Sequence, residues 1–158
     1  MRAWLFKSEP STYSWDDLVR DRRTEWEGVR NYQARNLMRD EMRVGDLVLF
    51  YHSSTDPQVI AGLARIVRDA YPDHHAQDPG SPYFDPKASP AAPRWLMVDI
   101  APVASVTPPI TRDELKGVPE LDGMMLLKRG ARLSVQPVTE AELATVLALR
   151  DLDPAGLS

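Results

Sequence analysis

Two hydrophobic periods run through this chain, and the places where one gives way to the other mark its elements. Residues 3–7 read as a short strand carrying Trp4, Leu5 and Phe6. Ser14 stands before Trp15, Asp16 and Asp17, a cap followed by acids where the helix dipole favours them, so a short helix begins there. The period then lengthens. Ala34, Leu37, Met38 and Met42 form one apolar stripe over residues 32–42, and Arg35, Arg39 and Arg43 line an adjoining face of the same helix. Gly45 and Asp46 turn the chain into residues 47–52, which are apolar at both alternating sets of positions. That pattern predicts a central strand covered on two sides. Residues 59–67 form a further strand, with Gly62 marking a bulge or a close approach.

Six prolines and little periodicity make residues 72–94 a long surface loop, of the kind that is often functional. Residues 95–106 return to strand. Thr111 to Glu114 is a capping box opening a short helix, residues 132–136 are a strand, and Thr139 to Glu142 opens the last helix. Strands without regular β-α-β alternation argue against a doubly wound sheet. The expected class is α+β: a barrel-like, mainly antiparallel sheet with short helices at its periphery. No repeat or linker divides the chain, so residues 1–158 are read as one domain.

Charge narrows the partners. Residues 1–70 hold 11 Lys/Arg and 11 Asp/Glu, whereas residues 71–158 hold 8 and 12, so the second part carries the whole net charge of −4. A protein that wraps many phosphates usually shows a strong basic excess. Any nucleic-acid contact is therefore expected through a small pocket with a few local arginines. The chain has no cysteine, which excludes disulfides and thiolate chemistry. Its first residues are too short an apolar run for a signal peptide, and no stretch approaches the about 20 apolar residues that span a bilayer. A soluble, cytoplasmic protein without a membrane partner is expected.

The chemistry concentrates in Trp26-Glu27-Gly28-Val29-Arg30-Asn31-Tyr32. Two aromatics flank a glycine, a guanidinium and an amide at the start of a helix. Gly28 lets the backbone turn sharply or approach a ligand closely. Flat π faces with an amide that both donates and accepts suit a planar heterocycle such as a nucleobase. The competing reading is a loop entering a helix, with Asn31 as its cap and the aromatics as core.

Separated blocks give a family resemblance. Residues 4–10 (WLFKSEP), 26–36 (WEGVRNYQARN) and 48–53 (VLFYHS) resemble the signature blocks of the EVE domain family. Asp78-Pro79, Tyr83-Phe84-Asp85, Pro93-Arg94-Trp95 and residues 132–138 continue the resemblance, which spans roughly residues 3–150. It implies a PUA-like pseudo-barrel related to YTH and SRA-type readers of modified bases. The implied function is a non-catalytic module that binds DNA or RNA carrying a modified base, such as a methylated or hydroxymethylated one, without a cofactor. The alternative is an enzyme or sensor acting on a free nucleotide or small heterocycle.

On that reading Trp26 is the first wall of an aromatic cage, Tyr32 a second wall, and Asn31 the reader of the base edge; each also has a purely structural use. Val29 and Arg30 belong to the same pocket. Lys7, Ser8 and Glu9 are placed at its rim. Tyr51 and Ser53 share one face of the central strand and are favoured over His52, which takes the other. Tyr83 and Asp85 are candidates for a lid, and Arg35 and Arg39 for phosphate contacts. His52 is taken as a structural histidine rather than a catalytic one. Asp73, His74, His75 and Asp78 are read as a solvated loop without metal, because adjacent histidines in an extended loop would point apart and no spacing fixes further ligands.

Overall fold

The computed structural model describes residues 2–91 and 93–153. Its centre is one mixed sheet of six strands: β1 (Ala3–Ser8), β2 (Thr24–Glu25), β3 (Leu47–His52), β4 (Val59–Pro72), β5 (Leu96–Thr111) and β6 (Val135–Val138). Their spatial order is β2-β5-β4-β3-β1-β6. The sheet is mainly antiparallel and does not close: four of its five pairings are antiparallel, and β1 runs parallel to β3 with Phe6 beside Phe50. The helices are short and peripheral: α1 (Trp15–Asp21), α2 (Tyr32–Asp40), α3 (Arg112–Lys116) and α4 (Glu140–Ala148). The expected α+β class is the one observed.

Local chemistry starts each helix. Ser14 and Asp17 form a reciprocal capping box at α1, Thr139 and Glu142 form another at α4, and Asn31 Oδ1 accepts from the Ala34 N–H at α2. The Arg43 guanidinium donates to the carbonyls of Asp40 and Met42 and closes the other end of α2. As expected, β3 is buried along almost its whole length between β4 and β1.

Strands β4 and β5 run well past the predicted ends, because their long antiparallel pairing continues from Val59 to Pro72 through several register shifts. Strand β6 sits three residues later than expected, and the two-residue strand β2 had no periodicity to announce it. Gly62 is the anticipated close approach: a Cβ built there would lie 2.2 Å from the Trp15 ring. Two buried clusters cover the two faces of the sheet. Leu5, Leu47, Leu49, Tyr51 and Leu63 pack on one with α4. Trp4, Phe6, Trp15, Trp26 and Phe50 pack on the other with α1 and α2.

Candidate functional site

Strand alternation builds the site. Phe6 and Phe50 are in register on neighbouring strands, and Trp26 closes on both, its ring 5.1 Å from Phe6 and 5.6 Å, edge-on, from Phe50. Beyond these rings lies a cavity of about 450 Å³. That volume is within the range of about 300–1,000 Å³ usual for small-ligand sites. Trp26, Val29, Lys7, Ser8, Glu9 and Tyr83 line it. So do Thr12, Tyr13, Thr24, Glu25, Glu27, Gly28 and Ser134, which pattern reasoning did not assign. Ser134 stands in one of the quoted family blocks. Thr24 and Glu25 arrive only through the pairing of β2 with β5, which sequence periodicity does not reveal.

Trp26 is special among the four indoles. Trp4 donates its indole N–H to Asp46, Trp15 to Ser105 and Trp95 to Asp85. The Trp26 indole N–H has no hydrogen-bond partner among the described residues, and the residue as a whole is 9% exposed. An unspent donor at the wall of a concave site is a recognition group as well as a flat face.

The remaining wall is held by a buried carboxylate. The Asp73 side chain, fully buried, accepts from the Gly28 N–H at 3.0 Å, from Arg30 Nη1 at 3.1 Å and from the His75 N–H at 2.9 Å. Arg30 also donates to the Tyr83 carbonyl at 2.6 Å. Gly28 has φ +80°, and a Cβ there would meet the Tyr83 ring at 2.6 Å. Gly28 thus admits Tyr83 onto the backbone, and Arg30 pins the long loop so that the ring stays over it. Arg30 positions the wall and does not itself line the cavity.

Several other predicted residues lie elsewhere. The Asn31 amide oxygen caps α2, and its side chain does not line the cavity. Tyr32 is half exposed and stacks on Trp95 at 4.8 Å, with the Arg35 guanidinium over its ring at 4.7 Å. Tyr51 points to the aliphatic face, where its hydroxyl donates to Gln58. Ser53 N–H donates to the Ser8 carbonyl. Asp85 accepts from the Trp95 indole outside the cavity. Parity explains Tyr51: residues 4, 6, 48 and 50 face the aromatic side, so residue 51 cannot. Arg35 is engaged with Asn36 and the Arg94 carbonyl, and Arg39 with Asp40. His52 Nε2 accepts from the Trp15 N–H at 3.0 Å, and burial lowers its pKa from the usual value.

The cavity edge is polar and mostly acidic. Burial raises the Glu27 carboxyl above its ordinary pKa, against the opposing pull of His75. Burial, assisted by the positive charge of Arg112, lowers Lys7. The three acid/base candidates are dispersed: Glu9 lines the cavity, His52 accepts from the backbone of α1 and Asp85 holds Trp95. No helix among the described residues is long and apolar enough to cross a membrane.

With this geometry in view, comparison with known proteins is specific. The EVE domain profile matches residues 2–149. Human thymocyte nuclear protein 1 is 39% identical over 171 residues, which cover 96% of this chain and 75% of that protein. A hypothetical protein from Leishmania major superposes with a TM-score of 0.90 at 48% identity, covering 96% of this chain and 95% of that one. Human THYN1 protein in complex with 5-methylcytosine-containing DNA superposes with a TM-score of 0.88 at 38% identity, covering 98% of this chain and 100% of that one. An ASCH protein from Zymomonas mobilis, at 9% identity and TM-score 0.53, shares the fold alone.

Proposed function

This chain belongs to the EVE domain family, and from that premise we propose that it is a non-catalytic module that binds DNA carrying a modified base, the base entering the cavity beside Trp26. One observation carries the reading. The cavity is lined by Trp26, with its unspent indole N–H, by Tyr83 and by several polar side chains, in a fold whose relative human THYN1 is bound to 5-methylcytosine-containing DNA. Stacking on an aromatic supplies affinity, about 1–3 kcal/mol per base, without regard to sequence. The rim groups supply discrimination at the base edge. A base that enters such a cavity has left its stack, so a flipped or single-stranded nucleotide is the substrate. The cage is therefore Trp26 and Tyr83, with Lys7, Ser8, Glu9 and Val29 around them. Tyr32, Arg35 and Arg39 lie outside it, on the face that would carry the flanking strand.

The charge distribution predicts how the polymer is held. Glu9, Glu25 and Glu27 line the cavity with Lys7 as its one basic residue. Few phosphates are neutralised, so affinity falls only gently as salt rises.

Titration of matched oligonucleotides tests the proposal. DNA bearing 5-methylcytosine or 5-hydroxymethylcytosine is expected to bind more tightly than unmodified DNA, by the about 10–200-fold that one small group in a fitted pocket allows. Equal affinities for modified and unmodified DNA would overturn it. Stronger binding to the corresponding RNA would reassign the polymer while keeping the base-reading site.

A further inference from the structure

The loop that follows β4 sets two histidines, which do not line the cavity, against two glutamates of its rim. His74 and His75 lie in a 3-10 turn, not in extended chain, so their rings do not point apart: the ring centres are 4.2 Å from each other. The pairing of β2 with β5 brings Glu25 to the same place. Ligand atoms of Glu25, His74 and His75 all fall within 4.8 Å of one another. We propose that Glu25, His74 and His75, joined by Glu27, form a binding site for one borderline divalent transition-metal cation, with Zn²⁺ as its probe.

Donor chemistry and spacing support this assignment. Two imidazoles with carboxylates are a zinc-type set, whereas calcium and magnesium favour oxygen alone. His74 Nε2 lies 2.8 Å from Glu25 Oε2, and His75 Nε2 lies 3.4 Å from Glu27 Oε2 and 4.0 Å from Glu25 Oε1. Ligands about 2.0–2.1 Å from a tetrahedral ion stand about 3.3 Å apart, so small side-chain rotations suffice to close on it.

A plain surface ion pair accounts for only half of the arrangement. It engages His74 and Glu25 closely, and His75 only through longer contacts to Glu25 and Glu27. Yet His75 Nε2 is buried and lacks a hydrogen bond among the described residues, while facing two carboxylates. A cation there would satisfy that nitrogen and neutralise both acids. The backbone beneath is already fixed, since Asp73 binds the His75 N–H and also Gly28 and Arg30. The outer side is open, with His74 61% exposed, which gives an ion a way in. Glu25 and Glu27 also line the cavity, so cation binding changes the charge of the cavity rim.

The test needs no nucleic acid and so stands apart from the base-reading proposal. The full chain, stripped of metal with a chelator, is titrated with Zn²⁺ by calorimetry, with Mg²⁺ as comparison. One equivalent of Zn²⁺ is expected to bind, and Mg²⁺ is not. His74→Ala, His75→Ala and Glu25→Gln should each lose at least the about 10–100-fold in affinity that removal of an outer-shell partner costs. X-ray absorption should show nitrogen and oxygen ligands at about 2.0–2.1 Å with imidazole scattering. The chain has three histidines, and the third, His52, is bonded under α1. Unchanged Zn²⁺ binding in the folded His74→Ala/His75→Ala double variant would overturn the proposal, as would no binding by the parent chain. Far-UV circular dichroism verifies that the variants are folded.

Discussion

The two faces of the sheet are built from the same strands and do different work. On β1 and β3, Leu5, Leu47, Leu49 and Tyr51 turn to one side, while Trp4, Phe6, Val48 and Phe50 turn to the other. The first side is packed mainly by aliphatic chains, among them ones from β4, β5 and α4. The second is packed by rings and opens beyond Trp26 into the cavity. Rigid rings can leave a flat-walled opening that flexible aliphatic chains would fill. Both faces are buried, and the proposed base site opens on the aromatic one alone, with a single sheet between the two.

Substitutions on each face should break this division in opposite ways. The largest loss of stability is expected for Leu49→Ala, which leaves a hole in the aliphatic face at a cost of about 2–5 kcal/mol. Denaturant unfolding measures it, and below the transition the ratio of affinities for modified and unmodified DNA should be unchanged. Trp26→Leu keeps the core apolar but removes the flat wall. Its affinity for modified DNA should drop by the about 1–3 kcal/mol that stacking contributes, with the preference for modification lost. An intact preference in Trp26→Leu would place recognition elsewhere.

Gly28→Ala sharpens the comparison further. The left-handed backbone at residue 28 costs a non-glycine residue roughly 1–2 kcal/mol. The new Cβ also collides with the Tyr83 ring, so the wall must move. A modest fall in melting temperature with a clear loss of selectivity is expected.

The smallest effect is a pH dependence at His52. Burial lowers its folded pKa from the ordinary value of 6.5. The folded state therefore gives up this proton more readily than the unfolded chain does. Its contribution is present above the unfolded pKa of about 6.5 and is lost as pH falls through the folded value. Protonated Nε2 can no longer accept from the Trp15 N–H. Melting curves between pH 7.5 and pH 5 should show a decline that His52→Gln reduces.

Much of this was legible in the residues. The helix starts, the buried central strand, the close approach at Gly62 and the family resemblance all follow from short-range chemistry that a sequence displays. The site was legible in part. Trp26, Val29, Lys7, Ser8 and Glu9 meet in one cavity because they flank the ends of β1 and β2 and the start of α2, and Arg30 brings Tyr83 to them from the long loop. Asn31 and Tyr32 adjoin them in sequence, but the helix start turns Asn31 to its own backbone and Tyr32 outward onto Trp95. Tyr51 depended on strand parity, which Trp4 and Phe6 could have set once β1 was known to pair with β3. The role of Arg30 and the His74–His75 cluster depended on long-range partners, Asp73, Tyr83 and Glu25, and on a 3-10 turn where an extended loop was expected. Periodicity carries no information of that kind.

Four indole N–H groups report on the molecule, and three of them are already bonded within the protein. Proton–nitrogen correlation spectra recorded during titration with DNA containing 5-methylcytosine test the central claim most directly. The account predicts a saturable shift of the Trp26 indole resonance, assigned by its disappearance in Trp26→Phe, with the Trp4 and Trp15 resonances staying in place. A titration that moves Trp95 while leaving Trp26 unmoved would put the base on the outer Tyr32 stack and contradict the account.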